Sequence, residues 1–242
     1  MESFPAWLPP DCRISVVIPA LNEEHSIGAV IDEIPGWVTE IIVCDNGSTD
    51  RTVDVAIAQG ARVVHAARRG YGSACLAGIG AAYRPDVVVF VDGDLSDYPA
   101  QMDQLVRPIV ENRTDFVSGS RILGRRQRGS LTPQQRLGGA LACILMQAIW
   151  HVHYTDLGPF RAIGTRSLAL LKMDDPDFGW TIQMQIRSAQ AGLRYLEIPV
   201  DYRRRIGKSK ISGTLRGVFA AGVKILYTIW HERWREINRL NR

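Results

Sequence analysis

The sequence predicts an α/β fold in which a mostly parallel β-sheet is flanked by helices. Along the first half of the 242-residue chain, segments with strand-like composition alternate with segments that have helical periodicity. The strand-like segments are apolar along nearly their whole length, which is typical of parallel strands covered on both faces. In such sheets the ligand binds beyond the carboxyl ends of the strands, so the residues that follow each strand are the candidate site residues.

Each element of the first half is assigned from its pattern and from the residues at its ends. Asn22 is positioned to cap the first helix, which then carries glutamates in its first turn. Gly60 is a natural stop for the second helix. The predicted strands lie at 14–19, 40–45, 62–66, 86–92 and 115–120. The predicted helices lie at 22–34, 48–60, 71–83 and 99–111.

The second half is less regular. We predict a basic loop, a helix without charged residues, a strand, a helix, a further strand, and a basic tail that leads into a C-terminal helix. The first five of these elements lie at 121–136, 137–151, 156–163, 181–192 and 193–204. The predicted domain organisation is an N-terminal extension at 1–12, one main domain at 13–215 and a C-terminal amphipathic helix at 216–242, possibly at a membrane surface.

The composition is that of a globular protein, with 46% hydrophobic and 22% charged residues and a net charge of +4. The basic residues are concentrated in two stretches: 121–136 holds five arginines and no acid, and 203–216 holds six basic residues and no acid. A nucleic-acid-binding protein is a rival interpretation of these stretches. They lack the interleaved aromatic side chains on which bases stack, so we expect no nucleic-acid partner.

The location of the protein is predicted from its cysteines and its apolar segments. The four cysteines form no CxxC pair, which favours reduced thiols in the cytoplasm, and no signal-peptide pattern is present. Residues 137–155 carry no Asp, Glu, Lys or Arg, but Gln147, His151 and His153 favour a buried or interfacial helix over a spanning one. The apolar run at 217–230 ends in a tryptophan and precedes basic residues, which suits a membrane surface. We expect a peripheral protein on the cytoplasmic face of the membrane, and a C-terminal helix docked on the protein is the open alternative.

Two aspartates, Asp92 and Asp94, follow the buried strand at 86–92 as an Asp-Gly-Asp sequence. They repel each other, and the usual compensation is a divalent cation, which prefers oxygen ligands and also accepts phosphate oxygens. An Asp-rich turn that caps the next helix is the alternative. Asp45 follows the second strand and could accept hydrogen bonds from a base or a ribose. Gly70 and Gly72 do not complete a dinucleotide-binding fingerprint, because the third glycine would fall at Cys75.

These motifs together resemble the family 2 glycosyltransferases of the GT-A fold. The matching segments are VVIPALNEE (16–24), VCDNGSTDRT (43–52), VDGDLSD (91–97), SGSR (118–121) and LGPFRAI (157–163), in the family's order and at its spacing. The later IPVDYRRRIGKSKISG (198–213) is similar to the polyprenyl-phosphate or dolichyl-phosphate mannose and glucose synthase branch. The resemblance implies an inverting, metal-dependent transfer of a hexose from UDP-glucose or GDP-mannose to a polyprenyl phosphate.

The resemblance also implies roles for individual residues. The implied nucleotide-sugar-binding residues are Pro19, Leu21, Glu23, Asp45, Gly70, Asp92, Gly93, Arg204, Ser209 and Lys210. The implied ligands of a divalent cation, Mg²⁺ or Mn²⁺, are Asp92 and Asp94. The implied catalytic residues are Asp94, Arg121, Arg136 (on the basic loop) and Arg205.

The chain departs from the branch at two places. Ser96 stands where the branch often has glutamine as a further metal contact, so Asp97 or water would have to substitute. Gln183 and Gln185 lie where relatives often have a glutamate. In the stretch 175–190 the only acids are Asp175 and Asp177, so no obvious general base is placed for a hydroxyl acceptor.

A phosphate monoester acceptor is already anionic and needs no general base, and the many arginines also favour it. Two enzyme alternatives remain open. One is a family 2 glycosyltransferase that uses a soluble hydroxyl acceptor. The other is a nucleotidyltransferase that makes the sugar nucleotide, and it is disfavoured because the first loop lacks a glycine- and lysine-rich phosphate cradle.

Overall fold

The computed structural model describes residues 4–207 and 215–240 and contains one seven-stranded sheet. Its strands are β1 (Ile14–Ala20), β2 (Glu40–Asp45), β3 (Arg62–His65), β4 (Val87–Phe90), β5 (Phe116–Ser120), β6 (Arg161–Gly164) and β7 (Tyr195–Pro199). The strand order is β3-β2-β1-β4-β6-β5-β7. All neighbouring strands are parallel except β6, which pairs antiparallel with both β4 and β5. The predicted α/β fold with a mostly parallel sheet is confirmed.

The sheet is covered by helices on both faces, as its apolar strands require. The helices are α1 (Ile27–Asp32), α2 (Thr52–Ala58), α3 (Tyr71–Ala81), α4 (Met102–Val110), α5 (Pro133–Trp150), α6 (Thr165–Leu171), α7 (Trp180–Gln190) and α8 (Leu215–Leu240). The α6 helix was not predicted, because its seven residues are too few to show a clear period.

Several predicted boundaries differ from the structure, and two of these differences concern candidate site or capping residues. The first helix begins at Ile27 rather than at Asn22, whose backbone has a positive φ of 52°. The Asn22 side-chain oxygen accepts a hydrogen bond from the Thr49 backbone N–H at 2.7 Å, so it joins two loops instead of capping a helix. The basic loop ends earlier than predicted, because Thr132 and Gln135 form a capping box that starts α5 at Pro133. Arg136 therefore lies on the first turn of α5 and not on a loop.

The core is built in three layers. One face of the sheet packs on α1 and α4, and here Leu8 from the N-terminal residues is also buried. The other face packs on α3, α6 and α7 around the fully buried Trp180. A third cluster joins α5, α7 and α8 through Met146, Ile182 and Ile229. Among the described residues, no helix combines the length and the apolar character needed to cross a bilayer.

Candidate functional site

A cleft of about 460 Å³ lies at the carboxyl ends of the central strands β1 and β4. Because these strands are parallel neighbours, the loops that follow them meet at one edge of the sheet. The predicted site residues that line this cleft are Pro19, Leu21, Glu23, Gly70, Asp92, Gly93, Asp94 and Arg205. Most of the predicted nucleotide-sugar residues are thus brought together by the fold.

Asp94 is held in the cleft by a serine and an arginine. It is 4% exposed, and one of its oxygens accepts hydrogen bonds from the backbone N–H and the hydroxyl of Ser96. Its other oxygen lies 2.9 Å from the Arg205 guanidinium, which also lies 3.6 Å from a Glu23 oxygen. The buried charge of Asp94 is therefore compensated by one arginine that remains partly exposed to the cleft.

Asp92 has a different environment. The Tyr71 hydroxyl donates a hydrogen bond of 3.0 Å to one Asp92 oxygen. Removal from water, followed by the nearby charge of Asp94, raises the pKa of Asp92 to about 7, and the Tyr71 hydrogen bond and the charges of Arg205 and Arg121 only partly offset this rise. A cation bound between Asp92 and Asp94 would relieve this repulsion.

Residues 203–206 run alongside the Asp-Gly-Asp turn and hold it in place. The backbone N–H groups of Arg203 and Ile206 donate to the carbonyl oxygens of Ser96 and Asp94, each at 2.9 Å. The Arg203 side chain donates to the Leu95 carbonyl oxygen at 2.6 Å and pairs with Glu33 at 2.6 Å. Arg203 therefore stabilises the Asp-Gly-Asp turn. Arg205, two residues later, lines the cleft.

Asp97 lies under the same turn, is 1% exposed, and has no hydrogen-bond partner for either carboxylate oxygen among the described residues. Burial, and then the charges of Asp92 and Asp94, raise its pKa well above the usual value. Within residues 4–207 and 215–240, no group of three His, Cys, Asp or Glu side chains could hold a metal ion. The protein therefore offers two carboxylates, Asp92 and Asp94, and a divalent cation here would need further oxygen ligands from water or from a bound diphosphate. The oxygen-only donor set fits Mg²⁺ or Mn²⁺.

Asp45 does not line the cleft. Its carboxylate accepts hydrogen bonds from the backbone N–H groups of Gly47 and Ser48, and lies 3.2 Å from the His65 ring. Burial acts to raise the pKa of Asp45, but these hydrogen bonds outweigh it and lower the pKa. Asp45 shapes the turn after β2 in this structure.

Arg121 and Arg136 line a second cleft of about 420 Å³ between the end of β5 and the start of α5. The Arg121 guanidinium makes a bidentate ion pair with the Asp156 carboxylate, at 2.7 and 2.8 Å. The same carboxylate also accepts a hydrogen bond from the Arg121 backbone N–H at 2.9 Å. The positive charge of Arg121 still acts on the first cleft, because it lowers the pKa of Asp92. Arg136 is exposed on α5. The structure therefore separates these two predicted catalytic arginines from Arg205.

The remaining predicted residues lie elsewhere. The Arg204 guanidinium donates to the Arg128 carbonyl oxygen at 2.8 Å and its backbone N–H donates to Gln127, so Arg204 fixes the basic loop. Ser209 and Lys210 fall outside the described residues.

Several cleft residues were missed by the sequence analysis. They are Ala20, Asn46, Arg69, Tyr71, Ala74, Asp177 and Phe178. Asn46 exchanges two hydrogen bonds with the backbone of Gly70, at 2.7 and 2.9 Å, and so sets the turn that presents Tyr71. The sequence feature that could have indicated this part of the cleft is the pair Gly70 and Gly72. In the structure, a Cβ at these positions would collide with the carbonyl oxygens of Pro176 and Asp175. Glycines at this spacing indicate a close backbone contact, although the partner segment cannot be read from them.

The raised pKa of Asp92 leads to a prediction about stability. The folded protein holds a proton on Asp92 up to about pH 7, whereas the unfolded chain releases it near pH 4, so rising pH favours the unfolded chain. We expect the free energy of unfolding, measured by urea titration with a chelator present, to fall as the pH rises from about 4 to about 7. The slope should be shallower in Asp92→Asn. An equally steep slope in that variant would show that other groups cause the dependence.

Comparison with known proteins shows the family to which the chain belongs. The Glycosyl transferase family 2 model matches residues 15–186. An uncharacterized glycosyltransferase of Mycobacterium tuberculosis is 37% identical over 210 residues, covering 86% of this chain and 94% of the relative. A dolichyl-phosphate hexose transferase of Haloferax volcanii is 35% identical over 227 residues, covering 92% of this chain and 96% of the relative.

A solved structure shares the architecture. Glucosyl-3-phosphoglycerate synthase from Mycobacterium tuberculosis, in complex with Mn²⁺, UDP and glucosyl-3-phosphoglycerate, superimposes with a TM-score of 0.75 at 28% sequence identity. The match covers 92% of this chain and 80% of that chain. The chain is therefore a glycosyltransferase and belongs to glycosyltransferase family 2.

Proposed function

We propose that the protein transfers a hexose from a nucleotide sugar, UDP-glucose or GDP-mannose, to a polyprenyl phosphate, with inversion and with a divalent cation. The observation that carries this proposal is the presence of two clefts whose charged side chains suit a metal-bound diphosphate and a phosphate, respectively. Asp92, Asp94 and Arg205 meet in the first, while Arg121 and Arg136 line the second, which opens beside apolar side chains. A donor diphosphate suits the first cleft and a lipid phosphate suits the second.

The donor is assigned to the first cleft. Asp92 and Asp94 would hold the Mg²⁺ or Mn²⁺ ion, which supplies positive charge that stabilises the departing diphosphate. Arg205 adds a guanidinium at 2.9 Å from Asp94, where it can also contact a phosphate oxygen. Pro19, at the end of β1, and the following Leu21 and Glu23 form the side of the cleft against which the nucleotide would lie. The solved relative with bound Mn²⁺ and UDP supports this assignment.

The acceptor phosphate is assigned to the second cleft. Arg136 is exposed on the first turn of α5, where it can approach an anion. Arg121 is held in a fixed orientation by Asp156. The same cleft is lined by Ile122, Leu131 and Leu137, which suit an isoprenoid chain. The name of the Haloferax volcanii relative, a dolichyl-phosphate hexose transferase, supports an acceptor of this class.

A membrane surface is the proposed location of the acceptor lipid. The helices α5 and α8 pack on each other, and each leaves a row of large apolar side chains exposed. We call these rows the apolar face, which consists of Leu137, Leu141, Ile144, Val223, Leu226, Tyr227, Trp230, Trp234 and Ile237. Tryptophan and tyrosine beside aliphatic side chains are typical of a helix that lies in the membrane interface. Since Leu137 belongs both to this face and to the second cleft, a lipid could pass from one to the other. We propose peripheral attachment to the cytoplasmic face of the membrane.

A transfer assay tests the proposal. Purified protein is incubated with Mn²⁺ or Mg²⁺, a short-chain polyprenyl phosphate and a panel of radiolabelled nucleotide sugars. We expect label in the lipid fraction with one of the donors and loss of transfer in EDTA. No transfer to lipid with any donor would contradict the proposed acceptor.

A soluble hydroxyl acceptor is the second candidate, and Asp177 favours it. Asp177 lines the first cleft, so a carboxylate is available there as a general base, and the solved relative contains a soluble product. Asp175 is not available for this role, because it pairs with Lys224 at 2.9 Å.

The Asp177→Asn variant separates the two candidates. If the acceptor is a phosphate, we expect transfer to polyprenyl phosphate to change by no more than about threefold, because an anionic acceptor needs no base. If the acceptor is a hydroxyl, the rate should fall by about 10²-fold or more. The measurement is the initial transfer rate at saturating donor, with the melting temperature as a control for folding.

A further inference from the structure

Residues 174–179, which precede α7, form one side of the donor cleft, and we call them the wall segment. Asp177 and Phe178 of this segment line the cleft opposite the loop after β1. The segment contains no helix or strand, so its conformation depends on the elements that contact it on either side.

On one side the wall segment lies directly against the start of α3. The Ser73 backbone N–H donates to the Pro176 carbonyl oxygen at 2.8 Å. Gly70 and Gly72 leave no space for a Cβ against the carbonyl oxygens of Pro176 and Asp175. A displacement of the wall segment would therefore be transmitted to the turn that presents Tyr71, which donates to Asp92.

On the other side the wall segment is held by α8. Lys224 pairs with Asp175 at 2.9 Å, and the other Asp175 oxygen accepts from the Asp177 backbone N–H at 2.8 Å. A Cβ on Gly179 would collide with the Thr228 hydroxyl and with the Asp175 carboxylate, so glycine allows α8 to approach this closely. One charged residue of α8 thus fixes the backbone next to a side chain that lines the cleft.

A buried polar cluster around Glu232, about two turns beyond Lys224 on α8, reinforces this contact. Glu232 is 2% exposed and accepts from Arg187 at 2.7 and 3.0 Å and from Gln183 at 2.9 Å. The Gln183 side-chain oxygen in turn accepts from the backbone N–H groups of Asp174 and Asp175, at 3.1 and 2.9 Å. Gln183 therefore links α8 to the wall segment.

We infer that α8 is a positioning element for the donor cleft, with Lys224 and Glu232 as positioning residues that set the wall segment. The same helix carries part of the apolar face on its exposed side, so attachment of α8 would bias the wall conformation that binds nucleotide. The inference rests on the proposed donor cleft and is independent of the identity of the acceptor.

The Lys224→Met variant tests the inference through nucleotide binding rather than through transfer. Binding of UDP and of GDP in the presence of Mn²⁺ is measured by calorimetry. We expect the nucleotide that the wild-type protein prefers to bind about five- to tenfold more weakly to Lys224→Met. Lys224→Arg should restore the affinity, since arginine keeps the ion pair with Asp175. Arg233→Met is the matched control, because Arg233 is an exposed cation of α8 whose ion pair among the described residues is with Glu236 of the same helix.

Hydrogen exchange provides a second measurement that does not depend on affinity. In Lys224→Met we expect faster exchange of the Asp177 and Ser73 amides, which donate the hydrogen bonds described above, and unchanged exchange in β1 and β4. Equal affinity and equal exchange in Lys224→Met and wild-type protein would overturn the inference alone. Failure of the wild-type protein to bind either nucleotide would instead overturn the proposed donor cleft, and the inference with it.

Discussion

Asp94→Asn is expected to reduce glycosyl transfer by roughly 10²–10³-fold while the melting temperature stays close to that of the wild-type protein. Asparagine keeps the size of the side chain and can still accept the hydrogen bond from the Ser96 backbone N–H at 2.9 Å. It removes the negative charge that would bind the cation and that pairs with Arg205 at 2.9 Å. The initial rate of transfer and the Mn²⁺ affinity should therefore both fall.

The control for this experiment is Asp54→Asn, an identical change at an exposed position of α2 outside the cleft. It should leave the rate and the Mn²⁺ affinity unchanged. Wild-type turnover in Asp94→Asn would refute the proposed metal site. A large drop in melting temperature would show that the Asp94–Arg205 pair mainly stabilises the fold.

The centre of the first cleft could be predicted from the sequence, because its residues lie at the ends of two neighbouring strands, β1 and β4. The residues after β1 and β4 meet because these strands are parallel neighbours. Pro19 at the end of β1, Glu23 after it, and Asp92 and Asp94 after β4 are therefore brought together by local patterns that the sequence shows directly: apolar strands, each followed by a polar loop. Arg205 was placed only by the resemblance, and its cleft position depends on the segment 203–206 that runs alongside the Asp-Gly-Asp turn.

The positions of Arg121 and Arg136 were less predictable, because the position of the β5 end relative to the first cleft depends on the direction of β6. The sequence indicates a strand near Arg161 but not its direction, and β6 inserts antiparallel between β4 and β5. This insertion separates the end of β5 from the end of β4 by one strand. Arg121 consequently lies beside Asp156 in the second cleft rather than beside Asp94. The direction of β6 is set by tertiary packing, which no local pattern reports.

The role of the wall segment could not be predicted for a related reason. Asp177 reaches the cleft because residues far apart in the chain, Gly70 and Lys224, contact the same short segment from opposite sides. The sequence analysis placed Gly70 among the nucleotide-sugar-binding residues by resemblance, and it named Asp177 only as an acid in a stretch without an obvious general base. Their contact is a property of the tertiary fold, since the two residues are neither neighbours in sequence nor parts of paired strands.

The double variant Trp230→Ser/Trp234→Ser is expected to lower binding to lipid vesicles by about 100-fold. Trp230 and Trp234 are 61% and 53% exposed, and burial of a large apolar side chain contributes about 1.5–3 kcal/mol, so the loss of two such side chains corresponds to two or more factors of ten. Both side chains are more than half exposed on α8, so folding should be preserved. The measurement is cosedimentation with vesicles that contain phosphatidylglycerol and a polyprenyl phosphate.

The matched control is Tyr83→Ser, because Tyr83 is an aromatic residue that is 59% exposed but lies outside α5 and α8. It should bind vesicles like the wild-type protein. Ultracentrifugation of the same proteins distinguishes a lipid surface from a second copy of the chain as the occupant of the apolar face. Vesicle binding that is unchanged in the double variant would remove the apolar face from the proposed function. A concentration-dependent dimer that the tryptophan changes abolish would assign the face to self-association instead.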